Sequence, residues 1–204
     1  SRGGGEELLL HGSHLFDLMI EIAGQPTWVD GYVLQGNSEA NISNVTEGNQ
    51  PVGPIMGDSI SAGIGFENGI RGYFESTANL AGPSNPNIDG LGLYCLKIEC
   101  EKNLLILREP GEVYIYPAPT VLPDYENFSW KRLTVEGWHD QPDYDIDNLK
   151  SNNNWIKYGN KVLAKDLISS IEKGSKPLSN IDDVKFINEI VEGCLLYTSD
   201  AADE

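Results

Sequence analysis

The sequence predicts an α+β fold, an open, mostly antiparallel β-sheet with helices packed on one face. Three observations predict it. The chain starts with a segment of helical period, continues through short runs rich in β-formers joined by turn signals, and ends with two more helical segments. Helices grouped at the two ends of hairpin-linked strands mark α+β, whereas a parallel sheet would alternate strand and helix.

Leu8 to Ala23 reads as the first helix. Leu15, Leu18, Met19 and Ile22 recur at i, i+3, i+4 and i+7 and form its expected buried face. Gly24 and Pro26 stop it. A different face lines up Leu10, His14, Asp17 and Glu21, spaced four, three and four. Gly12 in the helix interior costs ~1 kcal/mol relative to Ala, which asks for a reason such as close backbone approach. Trp28 to Gln35 is a strand, and Asn37 to Pro54 a polar loop. Ser59 to Phe66 and Ile70 to Ser76 form a hairpin around Asn68-Gly69. Ala81 to Gly90 is a Gly/Pro/Asn loop. Leu93 to Glu99 pairs with Asn103 to Arg108, and Val113 to Tyr116 adds a short strand. Residues 117–160 read as an irregular excursion. Lys161 to Lys173 is a helix with Leu163, Leu167, Ile168 and Ile171 inward and Gly174 as its cap. Ser179, with Asp182 three residues on, opens the last helix, whose stripe is Val184, Ile187 and Val191.

Length and composition bound the rest. The 204 residues suit one domain or two small ones, and 40% apolar with 22% charged is ordinary for a globular chain. Lys+Arg number 14 against 31 Asp+Glu, a net charge of −17, which excludes a general nucleic-acid binder needing a basic face. No apolar run approaches the ~20 residues of a membrane span. Cys95, Cys100 and Cys194 form no Cys-x-x-Cys pair, and reduced thiols in a cytoplasmic protein are expected. The opening Ser1-Arg2-Gly3-Gly4-Gly5 enters an element almost at once, so a missing front part is expected. Residues 194–204 resemble translated sequencing-adapter sequence and are set aside as non-native, leaving 1–193 as the domain. Asp200, Asp203 and Glu204 carry three of the negative charges, so residues 1–193 carry −14.

Few patterns bear chemistry. Gly63-Ile-Gly65-Phe-Glu-Asn-Gly69 has three residues before its last Gly where a dinucleotide turn has two, and it leads into a hairpin. Asp143, Asp145 and Asp147 imitate a calcium loop but lack its Gly at position six and Glu at twelve. Asn41, Asn44 and Asn127 head sequons that read as coincidence. The histidines are His11, His14 and His139. His11, His14 and Asp17 have helical spacing, but no second ligand cluster follows, so no metal is expected. An imidazole at His14 suits proton exchange with an alcohol, and Asp17 one turn on suits a substrate hydroxyl. A histidine on a helix surface is the simpler reading of the residues alone.

Gly3-Gly4-Gly5-x-x-Leu-Leu-Leu-x-Gly12-x-His14-x-x-Asp17, followed by Gly24-Gln25-Pro26, resembles the opening of the carboxyl-terminal domain of the Gfo/Idh/MocA oxidoreductases. Phe66-Glu67-Asn68-Gly69, Leu96-Lys97-Ile98-Glu99 to Leu105, and Asp166 to Gly174 with Pro177-Leu178 continue the resemblance in order over about residues 1–193. It implies a substrate and oligomerisation domain whose amino-terminal Rossmann half, absent here, binds NAD or NADP. It implies His14 as proton donor and acceptor beside a lysine of that half, Asp17 on the substrate, a carbohydrate-like sugar or cyclitol substrate, and a homo-oligomer through the sheet. Many members have an Asp four residues before the histidine, and this chain has Leu10, so an Asp–His relay is absent. Two other functions stay open: a non-catalytic binding or dimerisation module, and an NAD-dependent glycosidase on the same fold.

Overall fold

A computed structural model describes residues 8, 12–47, 54–77, 95–108, 111–116, 130–139, 141, 144–145, 148–149 and 154–200. The first helix, α1, spans Ser13–Ala23, and Gly24 ends it with φ +84°. Strand β1, Pro26–Gln35, alternates side chains across a sheet. It pairs antiparallel with β2, Ser38–Glu39, and with β5, Ser59–Phe66. Asp58 accepts the Gly36 N–H at 3.0 Å and so fixes the β1–β2 turn to the start of β5. A 3₁₀ turn, Ile42–Asn44, and the short pair β3, Thr46–Glu47, with β4, Pro54–Ile55, occupy the stretch expected as polar loop. Asn41 caps that turn through its Oδ1, which takes the Ser43 N–H at 3.0 Å.

The expected hairpin holds. β5 pairs with β6, Arg71–Thr77, and Gly69 at φ +81° makes the turn, whose ends close by Phe66 N–H to Ile70 C=O at 3.0 Å. The sheet order is β2-β1-β5-β6. Its inner face reads Val29, Gly31 and Val33 against Ile60, Ala62 and Ile64, with Phe74 beyond. The last helix, α3, Ile181–Asp200, lies on β1 of this sheet, and α1 packs on α3. The approach of α3 is close. A Cβ at Gly31 would fall 2.9 Å from the Cα of Cys194, and one at Gly193 would strike Val29. Cys194 is fully buried there, and α3 runs on past the boundary drawn at 193.

A second compact unit, Pro83–Leu178, is distinct from the first, Ser1–Gly82 with Ser179–Glu204. Its antiparallel sheet has the order β10-β9-β8-β7, from β7, Cys95–Glu99, β8, Leu104–Arg108, β9, Glu112–Tyr116, and β10, Lys131–Leu133. The long helix α2, Asn154–Lys173, belongs to this unit. The fold is therefore α+β with antiparallel sheets, as expected, but the described strands form two four-stranded sheets and the two-stranded β3–β4 ribbon.

Four expectations need correction. On α1 the buried residues are Phe16, Met19, Ile20 and Ala23, while Leu18 and Ile22 are exposed. Phe16 meets Phe74 of the sheet with ring centroids 5.0 Å apart, and this anchor sets the helix rotation. On α2, Leu163, Leu167, Ile168 and Ile171 are all half or more exposed. Asp166 and Ser170 share a face with Leu163 and Leu167, and these polar positions meet the following chain: Asp166 accepts the Leu178 N–H at 2.8 Å, and Ser170 is buried. This helix also starts at Asn154, inside the stretch read as irregular. The cap of α3 is Asn180, whose Oδ1 takes the Asp182 N–H at 3.0 Å and whose Nδ2 donates to Asp183 at 2.6 Å, so the capping pair sits one residue later than Ser179 with Asp182.

Candidate functional site

The residues singled out in sequence converge on α1. With Phe16 and Ala23 turned to the core, the 100° step of the helix puts His14, Asp17 and Glu21 on the opposite side. His14 is exposed and Asp17 half-buried. Burial is the main cause holding the Asp17 carboxyl above the usual carboxylate range. Asp183 of α3 and then Glu21 push the same way, and His14 opposes them. Asp17 therefore keeps a proton more readily than a free aspartate. His11 and Leu10 lie outside the described residues, as do Asp143 and Asp147 of the calcium-like run. None of Cys95, Cys100 and Cys194 is in a disulfide.

The Gly63–Gly69 run does not fit a dinucleotide turn. Gly63 and Gly65 sit inside strand β5, and the Trp28 indole lies against them, so that a Cβ at Gly65 would collide with its ring. Those glycines make room for an aromatic side chain and not for a phosphate. No described helix is long and apolar enough to cross a membrane.

The second unit holds a polar cluster that sequence reasoning missed. Glu112 is fully buried, and Arg108 pairs with it at 2.7 Å across the β8–β9 register. Tyr114 donates to Glu112 at 3.0 Å, and Arg132 of β10 lies 3.7 Å away. Cross-strand pairing of Arg108 with Glu112 was readable only with the turn position known. Beside it an apolar cavity of about 250 Å³ is lined by Leu107, Gly111, Glu112, Val113, Val135 and Trp138. Those charges are mutually satisfied, which marks the cluster as structural.

The sequence matches no protein-family model and no curated protein. Among solved structures, the fold is similar to that of the UDP-N-acetylglucosamine 3-dehydrogenase GnnA from Acidithiobacillus ferrooxidans, with a TM-score of 0.55 and 9% identity. The likeness covers 92% of this chain and 47% of that one, so the chain spans about half the length of its neighbour. At this identity the likeness is one of fold, and at that level it supports the resemblance read from the sequence.

Proposed function

We propose that this chain is the substrate domain of an NAD(P)-dependent oxidoreductase acting on a hydroxyl or carbonyl of a sugar or cyclitol. The observation that carries the reading is a fold shared with a sugar-nucleotide dehydrogenase over 92% of the chain, with His14 and Asp17 presented together on α1 away from the core. His14 exchanges the proton of the reacting hydroxyl with solvent. Asp17 hydrogen-bonds a neighbouring hydroxyl, accepting through its carboxylate. The nicotinamide belongs to a separate Rossmann half, a reading supported by Trp28 covering Gly63 and Gly65, the glycines of this chain that come nearest to a dinucleotide turn. Exposed Leu18 and Ile22 beside His14 supply an apolar surface for such a half to cover.

The open face of the first sheet supports self-association. Trp28, Tyr32 and Tyr73 are half or more exposed on it, which is more aromatic surface than a monomer ordinarily shows to water. Three cysteines without a disulfide fit a reducing, cytoplasmic setting. Residues 194–204 are a tail of foreign origin, of which 194–200 continue α3. The test is to join the chain to its upstream half and measure nicotinamide reduction on a panel of polyols. General acid–base catalysis contributes roughly 10²–10⁴-fold, so His14→Ala loses that much turnover. Unchanged turnover removes His14 from the chemistry.

A further inference from the structure

The turn between β5 and β6 is built on Asn68-Gly69, the single Asn-Gly pair of the sequence. Gly69 stands at φ +81°, a conformation that glycine adopts without strain. A Cβ there would meet nothing within 4 Å, so the backbone and not packing calls for the glycine. Residues 67–70 are all exposed. The hairpin thus places an asparagine in water, followed by a residue with no side chain.

That pair has a chemistry of its own. The Gly69 amide nitrogen is one ring closure away from Asn68 Cγ, and no Cβ on Gly69 shields it. Once a base takes the Gly69 amide proton, the nitrogen attacks Cγ. The N–Cγ bond forms, the Cγ–Nδ2 bond breaks, and Nδ2 leaves as ammonia with that proton restored to it. The product is a five-membered succinimide. Water then opens the ring at one of its two carbonyls. Opening at Cγ gives aspartate in an ordinary chain. Opening at the main-chain carbonyl of residue 68 gives isoaspartate, whose chain runs through the side-chain carbon. Ammonia is lost, water is gained, one carboxylate appears, and nothing is oxidised or reduced.

The folded turn holds both reacting groups. The Gly69 N–H donates to the Phe66 carbonyl at 2.9 Å, and Asn68 Oδ1 accepts the Ile70 N–H at 3.2 Å. The nitrogen keeps its proton while Phe66 engages it, and Cγ does not swing onto the nitrogen while Ile70 holds its oxygen. The frame around them is firm. Phe66 is buried, its N–H meets the Ile70 carbonyl at 3.0 Å, and the Glu67 N–H meets the Gln25 carbonyl at 3.0 Å. Asn44 and Asn180, which also sit in turns or caps, precede Val45 and Ile181, whose branched Cβ atoms crowd the attacking nitrogen.

We propose that Asn68 is a self-modifying site guarded by its own turn. It deamidates through Gly69 only when these two hydrogen bonds open, and the isoaspartate formed keeps the turn from closing again. The added backbone carbon lengthens the turn, so Phe66 and Ile70 no longer meet in the register of β5 and β6. The proposal does not rest on the chemistry assigned to α1.

The test holds the full chain at pH 8.5 and 37 °C, both folded and in 6 M urea. Peptide mapping with enzymatic isoaspartyl methylation times the product at position 68. Hydrogen exchange of the folded chain reads the protection factor of the Gly69 amide against that of Ile64 in β5. In urea, Asn68 converts ahead of Asn44 and Asn180. In the folded chain its conversion is slower by the Gly69 protection factor, roughly 5- to 150-fold for two hydrogen bonds of ordinary net strength, and Ile64 is protected far more. The two factors agree because turn opening is fast beside a reaction of days, so the rate follows the open population. No product at position 68 in urea overturns the proposal. So does a folded rate equal to that in urea, or a slowing that matches the protection of Ile64 and not that of Gly69.

Discussion

Gly31→Ala tests the closest packing in the molecule. The added Cβ would lie 2.9 Å from the Cα and Cβ of Cys194 and 3.0 Å from its Sγ, where ordinary contact begins at 3.4 Å. The obstacle is helix backbone, so no side-chain rotation relieves it. The helix α3 must retreat from β1 by about 0.5 Å, and the cost is that of overpacking a core, about 1–3 kcal/mol. At roughly 2–4 °C per kcal/mol for a chain of this size, Tm falls by about 2–12 °C. Gly159→Ala is the control, because it makes the same chemical change in α2, where a Cβ meets nothing within 4 Å. There the gain in helix propensity of roughly 0.5–1 kcal/mol raises stability. Thermal unfolding followed by circular dichroism reads both. A Gly31→Ala chain as stable as the parent would refute the close approach of α3, and with it the burial of Cys194.

Cysteine reactivity checks the same region by a second route. Burial, with Asp30 adding to it, raises the Cys194 thiol to about 11, so at pH 8 its thiolate fraction is on the order of 0.1%. Iodoacetamide followed by mass mapping should label exposed Cys100 first and Cys194 only after denaturation, and early labelling of Cys194 would contradict its place in the core. The pH dependence of stability checks Asp17. Its folded carboxyl is raised above the usual value, so the folded state binds the proton more tightly than the unfolded one. Its contribution to stability is full below pH ~4 and is lost as pH rises through the folded value. Asp17→Asn should flatten that part of the curve in urea titrations from pH 4 to 7, and an unchanged curve counts against the carboxylate cluster with Asp183 and Glu21.

The strands were legible because their turns were. Asn68-Gly69 fixes a hairpin by the positive φ that only a few residues tolerate, and β5 and β6 follow on either side. β10 was not legible, since three residues leave no period to read. α2 was seen only from Lys161 because Gly159 and Asn160 look like a break, yet both lie within the helix. Its inward face was misjudged for a different reason. Period finds an apolar stripe but does not see that the polar positions beside it, Asp166 and Ser170, take up the returning chain.

The candidate site shows the same division between pattern and partner. Seven of the eleven residues of α1 are Leu, Phe, Met, Ile or Ala beyond its polar positions, and they supply two apolar stripes, Leu15-Leu18-Ile22 and Phe16-Met19-Ile20-Ala23. Sequence period ranks neither above the other. The choice falls to a residue 58 positions away, since Phe74 offers an aromatic partner to Phe16 and none to Leu18. Either choice leaves His14 and Asp17 on the polar side, which is why their outward position was readable although the buried face was not. The acidity around Asp17 was not readable, because Asp183 arrives from the far end of the chain on a helix whose cap, Asn180, also holds that carboxylate. The proton affinity of the site is thus set by contacts between distant elements, while its residue types and spacing are set locally by one helix.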